Sequence, residues 1–103
     1  MKHPIGISRR AARQIAAASM WWHENRPAAP FMFDAELQLA LAALEETADI
    51  HALVDPADLP GVRRVLLARV RYHLYYRLRT NGSVDVVACW HTSRGASPLK
   101  RNK

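Results

Sequence analysis

The most constraining feature of this chain is the alternation in Tyr72-His73-Leu74-Tyr75-Tyr76-Arg77-Leu78-Arg79, set inside a longer β-permissive block from Gly61 to Trp90. Successive side chains of a strand point to opposite faces. Tyr72, Leu74, Tyr76 and Leu78 therefore belong to one side, and His73, Tyr75, Arg77 and Arg79 to the other. The first set reads as core. The second offers cationic and aromatic groups to a partner. Asn81-Gly82 follows directly and is a strong hairpin signal, because both residues tolerate positive φ. Strands are expected at Val62–Ala68, Tyr72–Arg79 and Ser83–His91.

The remaining elements precede this block. Ile5 to Ser8 is short and β-permissive, and Ser8 is placed to cap a helix starting at Arg9. Ala11, Ala12, Ile15, Ala18, Ser19 and Trp22 recur at helical spacing and draw an apolar stripe. Asn25-Arg26-Pro27 stops that helix, since the residue before proline is pushed out of helical geometry. Pro30 starts a second helix, with Phe33, Leu37, Ala40, Leu41 and Leu44 as its apolar face and an end near Glu46 to Asp49. A connection this short makes the pair an antiparallel hairpin. Ile50 to Pro60, with two prolines, reads as a loop. The order β-α-α-β-β-β predicts an α+β domain in which a helical hairpin covers one face of a small antiparallel sheet.

At 103 residues, half of them apolar, the chain is expected to form one domain with one core. Residues 1–95 make up that domain, and residues 96–103 a basic tail that frays. No apolar run approaches the roughly 20 residues of a membrane span. The N-terminus lacks the apolar stretch of a signal peptide, so a cytoplasmic location is expected. The lone Cys89 lies in an apolar strand and reads as a small buried hydrophobe. Charge is unevenly divided: residues 1–50 carry a net −1 and residues 51–103 a net +7, mostly arginine. Arginine's rigid donor fork suits carboxylates and phosphates, so the second half should attract either a nucleic acid or an acidic protein segment.

Read in order, these pieces resemble the ParE toxins of the ParE/RelE superfamily over about residues 5–95. The resemblance rests on Ile7-Ser8, Ala12 and the helix reaching Trp21-Trp22; on Asn25-Arg26-Pro27-Ala28-Ala29; and on Phe33 with Leu37, Leu41 and Leu44. It continues through Gly61-Val62-Arg63-Arg64, Tyr72 to Arg77, and Val86-Val87 leading to His91 and Arg94. It implies a RelE/ParE-like fold and the toxin of a bacterial type II (plasmid stabilisation-type) toxin–antitoxin module. Its partner would be a ParD-like antitoxin whose acidic, amphipathic C-terminal segment wraps the toxin in a hetero-oligomer.

Two activities share that fold, inhibition of DNA gyrase and ribosome-dependent cleavage of messenger RNA, so the site has to decide between them. Cleavage at a 2′-hydroxyl needs a base, a proton donor for the leaving oxygen and cations on the phosphate. Arg64, Arg69, His73, Arg77, His91 and Arg94 are the available groups, with Arg64, Arg77, His91 and Arg94 as the nuclease set. RelE-like nucleases usually supply a catalytic tyrosine or several lysines near the last strand. Here no tyrosine follows Tyr76, and beyond residue 51 lysines stand only in the tail. A gyrase inhibitor acting by binding is the expectation; a metal-independent endonuclease, or an inactive member that only binds antitoxin and represses its operon, are the alternatives. The binding residues expected are Trp21, Trp22, Arg64, Tyr75, Arg77, Arg79, His91 and Arg94. Arg63 and Arg64, as strand neighbours, serve opposite faces. No cofactor is expected, and His51, Asp55 and Asp58 read as a solvated loop and not as a metal site.

Overall fold

A computed structural model describes residues 2–51, 53 and 61–93. Its elements are β1 (Ile5–Ile7), α1 (Arg9–Asn25), α2 (Met32–Thr47), β2 (Val62–Leu67), β3 (Tyr72–Leu78) and β4 (Val84–His91). The expected order holds. The four strands form one sheet in the order β1-β4-β3-β2. Both β2–β3 and β3–β4 are antiparallel, whereas β1 runs parallel to β4, so the sheet is mixed and not wholly antiparallel. The connection from β1 to its parallel neighbour β4 runs through α1, α2, β2 and β3, far longer than a parallel pair requires.

The helices form where the sequence places them. The Ser8 hydroxyl accepts the Ala11 N–H at 3.1 Å and caps α1. At the other end the Arg26 N–H still reaches the Trp22 carbonyl before Pro27 breaks the run. The second helix starts at Met32, two residues later than Pro30. The Ser19 hydroxyl donates to Asp34 Oδ1 at 2.6 Å, and His23 Nε2 lies 2.9 Å from Asp34 Oδ2, tying α1 to the first turn of α2.

The main core lies between this hairpin and one sheet face. Ala11, Ala18, Phe33, Leu37 and Leu44 meet Leu67, Leu74, Tyr76, Val84, Val86 and Cys89, with Ile15, Trp22, Ala40, Leu41, Tyr72 and Leu78 packed against them. Every apolar position expected on α2, and all four on the core side of β3, are therefore found there. Tyr76 is the largest fully buried side chain, and its hydroxyl donates to the Ala48 carbonyl at the end of α2. Burial pushes that hydroxyl up to about 12, against a smaller opposing effect of Arg63. Burial likewise raises the Cys89 thiol to about 12, which suits an inert core residue and not a nucleophile.

The turns joining β2 to β3 and β3 to β4 each hold a residue at positive φ. Of Asn81 and Gly82 only the glycine has positive φ (88°), and the N–H of Gly82 donates to the Arg79 carbonyl while that of Arg79 donates to the Ser83 carbonyl. The β3–β4 connection is thus a three-residue loop closed by a left-handed glycine, and the Asn81 side chain accepts from Ser83. The β2–β3 turn places Arg71 at φ 64°, a conformation glycine or asparagine normally takes. Within the expected 50–60 loop, Leu53 bridges to Arg63 at the outer edge of β2. Asp55, Asp58, the rest of that loop from 54 to 60, and the tail all lie outside the described residues.

Candidate functional site

Three cross-strand rows make up the sheet face turned away from the helices. They read Val62–Arg77–Asp85, Arg64–Tyr75–Ala88 and Leu66–His73–Trp90. Arg64, His73, Arg77 and Arg79 stand on this face as the alternation predicts. The reading of Tyr75 as an offered side chain needs correction. It is only 6% exposed and forms a second apolar cluster with Val62 and Ala88, against which Val87 and Trp90 pack. The apolar row neighbours that enclose it were not assigned to this face from local alternation. Arg79 is also committed: its guanidinium pairs with Asp85 at 2.6 Å. Burial first, then the adjacent Arg64 guanidinium, hold the His73 imidazole below its ordinary value.

His91 does not join this face. In β4 the register shifts opposite Tyr75/Tyr76, so that Tyr75 pairs with Ala88 and Tyr76 with Val86, leaving Val87 as the extra residue of a bulge. Strand parity reverses there. Cys89 returns to the main core, and His91 follows it to the helix side, its ring edge-on to Tyr72 at 5.0 Å. The Ser93 N–H donates to His91 Nδ1 at 3.1 Å, which makes Nε2 the protonated ring nitrogen of the neutral form. The nuclease set is therefore divided: Arg64 and Arg77 on one side of the sheet, His91 on the other. Arg94 lies outside the described residues.

On the helix side, His91 joins the two tryptophans of α1. Trp22 packs against the core while Trp21 stays 44% exposed, as adjacent positions about 100° apart on a helix should. Trp21, Trp22, Arg26, Arg69, Val70, Arg71, Tyr72, His91 and Ser93 line one concavity of about 530 Å³. Next to it, sharing Arg69, an apolar groove runs along α2 between Phe31, Met32, Ala35 and Leu39. Phe31 is 65% and Leu39 72% exposed. Neither was singled out from sequence, although Leu39 is a large apolar residue lying off the core stripe of α2, which is the signal that marks it.

No protein-family model and no curated protein matches the sequence. Solved structures do match in shape. A chain of the chromosomal ParDE TA system from P. aeruginosa superposes with a TM-score of 0.71 at 16% identity, over 87% of this chain and 96% of that one. A chain of the intact E. coli RelBE toxin-antitoxin complex superposes with a TM-score of 0.59 at 17% identity, over 89% and 99%. The chain has the ParE/RelE-type fold.

Within that fold, the expected binding residues fall into two groups. Arg64, Tyr75, Arg77 and Arg79 share the open sheet face, although Tyr75 lies beneath it. Trp21, Trp22 and His91 share the concavity at the helix end. Among the described residues no group of His, Cys, Asp and Glu side chains could hold a metal ion. Among the same residues no helix is long and apolar enough to cross a membrane.

Proposed function

We propose that this chain is the toxin of a type II toxin–antitoxin module, neutralised by direct binding of a small ParD-like antitoxin, and that the free toxin inhibits DNA gyrase. The likeness to chains of ParDE and RelBE systems supports the module. The observation that favours gyrase over messenger RNA is the division of the nuclease set by the β4 bulge. A base and its phosphate clamp must reach one scissile phosphate together, and His91 stands across the sheet from Arg64 and Arg77.

The surfaces also suit an acidic amphipathic antitoxin segment. The groove of Phe31, Met32, Ala35 and Leu39 takes the apolar side of such a segment, and Arg69 stands at its end for the acidic side. Complementary charge of this kind raises the association rate more than the final affinity. The bound toxin would then be a hetero-oligomer in the cytoplasm.

A second reading, the metal-independent endonuclease, rests on His73. Burial first, and then Arg64, disfavour protonation of its imidazole, which stands on the same face as Arg77, and a base near a phosphate needs its unprotonated form. Assaying the purified chain for gyrase supercoiling and for cleavage of ribosome-bound messenger RNA separates the two. Inhibited supercoiling with intact RNA is the expected result. Cleaved RNA with unaffected gyrase would overturn the proposal, and loss of that cleavage in His73→Ala would place the chemistry on the open sheet face. Growth arrest on expression of the chain alone distinguishes both from an inactive member confined to antitoxin binding and operon repression.

A further inference from the structure

The concavity at the end of the helical hairpin gathers arginines of which only Arg69 has a role in the readings above. Three arginines enter it from two segments: Arg26 from the end of α1, and Arg69 and Arg71 from the β2–β3 turn. Among the described residues none of the three guanidinium groups is ion-paired. The nearby Glu36 carboxylate meets this turn through its backbone, its Oε1 accepting the N–H groups of Arg69 (2.9 Å) and Val70 (3.2 Å). That bond orders the turn carrying two of the arginines and leaves their side chains available.

The walls between these cations are aromatic. The Arg26 guanidinium carbon stands 4.7 Å from the Trp21 ring centre and 5.6 Å from that of Trp22. The two indoles meet edge to face at 6.1 Å. Contact with both rings fixes Arg26 at the rim without a carboxylate to neutralise it. Tyr72 and His91 close the far side, and the Ser93 contact to Nδ1 leaves Nε2–H as the neutral imidazole's donor.

Arg71 carries a second, independent sign. It holds φ 64°, where a side chain is disfavoured and glycine is not. Its backbone is fixed on both sides, with its N–H bonded to the Leu67 carbonyl and its own carbonyl accepting from Thr92. The turn therefore keeps an arginine where glycine would be easier, and non-glycine residues held in such conformations cluster at ligand sites.

We infer that this concavity binds a nucleoside phosphate, with the phosphate between Arg69 and Arg71 and the base against the Trp21–Trp22 wall. Guanidinium forks match phosphate oxygens, and a flat base stacks on indole or guanidinium faces without needing a particular sequence. A volume of about 530 Å³ lies within the range of small-ligand pockets and exceeds what a bare phosphate fills. The same chemistry is offered by a free nucleotide and by an exposed nucleotide of a single strand.

The test is calorimetric titration of the full-length chain with adenosine 5′-monophosphate, and in parallel with adenosine, inorganic phosphate, an oligodeoxyadenylate decamer and a polyglutamate peptide. Saturable nucleotide binding is expected, quenching the indole fluorescence of Trp21 and Trp22, with adenosine and phosphate each at least about tenfold weaker. Tighter binding of the decamer, weakening steeply with salt, would assign the site to a strand; equal or weaker binding would assign it to the free nucleotide. Arg71→Gly is the decisive variant, since it relieves the backbone and removes the guanidinium. It should fold at least as well as the parent and bind the nucleotide about tenfold more weakly, and Arg26→Gln should weaken it as well. The proposal is overturned if the nucleotide shows no saturable binding up to about 1 mM. It is also overturned if Arg71→Gly and Arg26→Gln bind like the parent, or if only polyglutamate binds. Gyrase inhibition or RNA cleavage, measured on the same samples, can fail without affecting this result.

Discussion

The two faces of the sheet are made by the same strands and obey different rules. On the helix side, Tyr76, Leu74, Val84 and Val86 are sealed under α1 and α2, and the one buried hydroxyl in that row has a partner at 2.6 Å. On the far side a small patch of Val62, Tyr75 and Ala88 is edged by arginine, histidine and an Arg79–Asp85 pair. One face holds the fold together. The other holds charge in position over a thin apolar base. Tyr75 and Tyr76, neighbours in sequence, sit on opposite faces and show the difference at the level of a single hydroxyl.

Phe33→Ala should break the helix-side face most severely, at about 3–5 kcal/mol, because the ring is fully buried against Tyr72 and its loss leaves a cavity. A urea midpoint close to the parent's would mean that the helices contribute far less than their burial implies. Tyr76→Phe comes next. It strands the buried Ala48 carbonyl and should cost about 1–3 kcal/mol. Arg71→Gly, at the end of the sheet, is expected to raise stability by up to about 1 kcal/mol as the left-handed strain is released. A lower midpoint would show that the arginine side chain supports the fold and not a ligand. Tyr75→Phe should change stability by less than about 0.5 kcal/mol, since the far-side hydroxyl has no protein partner among the described residues. A cost matching Tyr76→Phe would erase the distinction between the faces.

The inter-helix tie gives a pH test of the helix layer. Chiefly the Ser19 hydroxyl, opposed in part by desolvation and aided by His23, holds the Asp34 carboxyl below its ordinary value of 3.8. A carboxylate lowered on folding stabilises above its unfolded pKa, and that contribution disappears as pH falls through the lower folded value. The stability difference between the parent chain and Asp34→Asn should therefore be present at neutral pH and shrink on acidification below about pH 4. A difference that stays constant across that window would mean the tie acts through shape alone.

Much of this was readable from local pattern. Helical spacing found the core stripe of α2 down to Ala40 and Leu41, and on α1 it found Ala11, Ile15, Ala18 and Trp22, whereas Ala12, also placed on that stripe, is exposed. The alternation of β3 assigned all four core-side residues and the cationic side opposite. Legibility stopped where two segments had to agree. Nothing local says that β1 joins β4 in parallel, or that the Asn81-Gly82 hairpin needs a third residue. Phe31, Leu39 and Arg71 carry no local signal of their surroundings, because the groove and the concavity they line are built from segments distant in sequence.

By itself, then, the sequence determined the elements, the buried stripe of each and the cationic character of the second half, since these follow from periodicity and composition. Only the tertiary structure decided which charged groups meet. One extra residue, Val87, reverses the parity of β4 and carries His91 away from Arg64 and Arg77 to the indoles of α1. Strand alternation is a local rule, but a bulge is placed by pairing with the next strand, and that pairing is settled only when both sheet faces are packed.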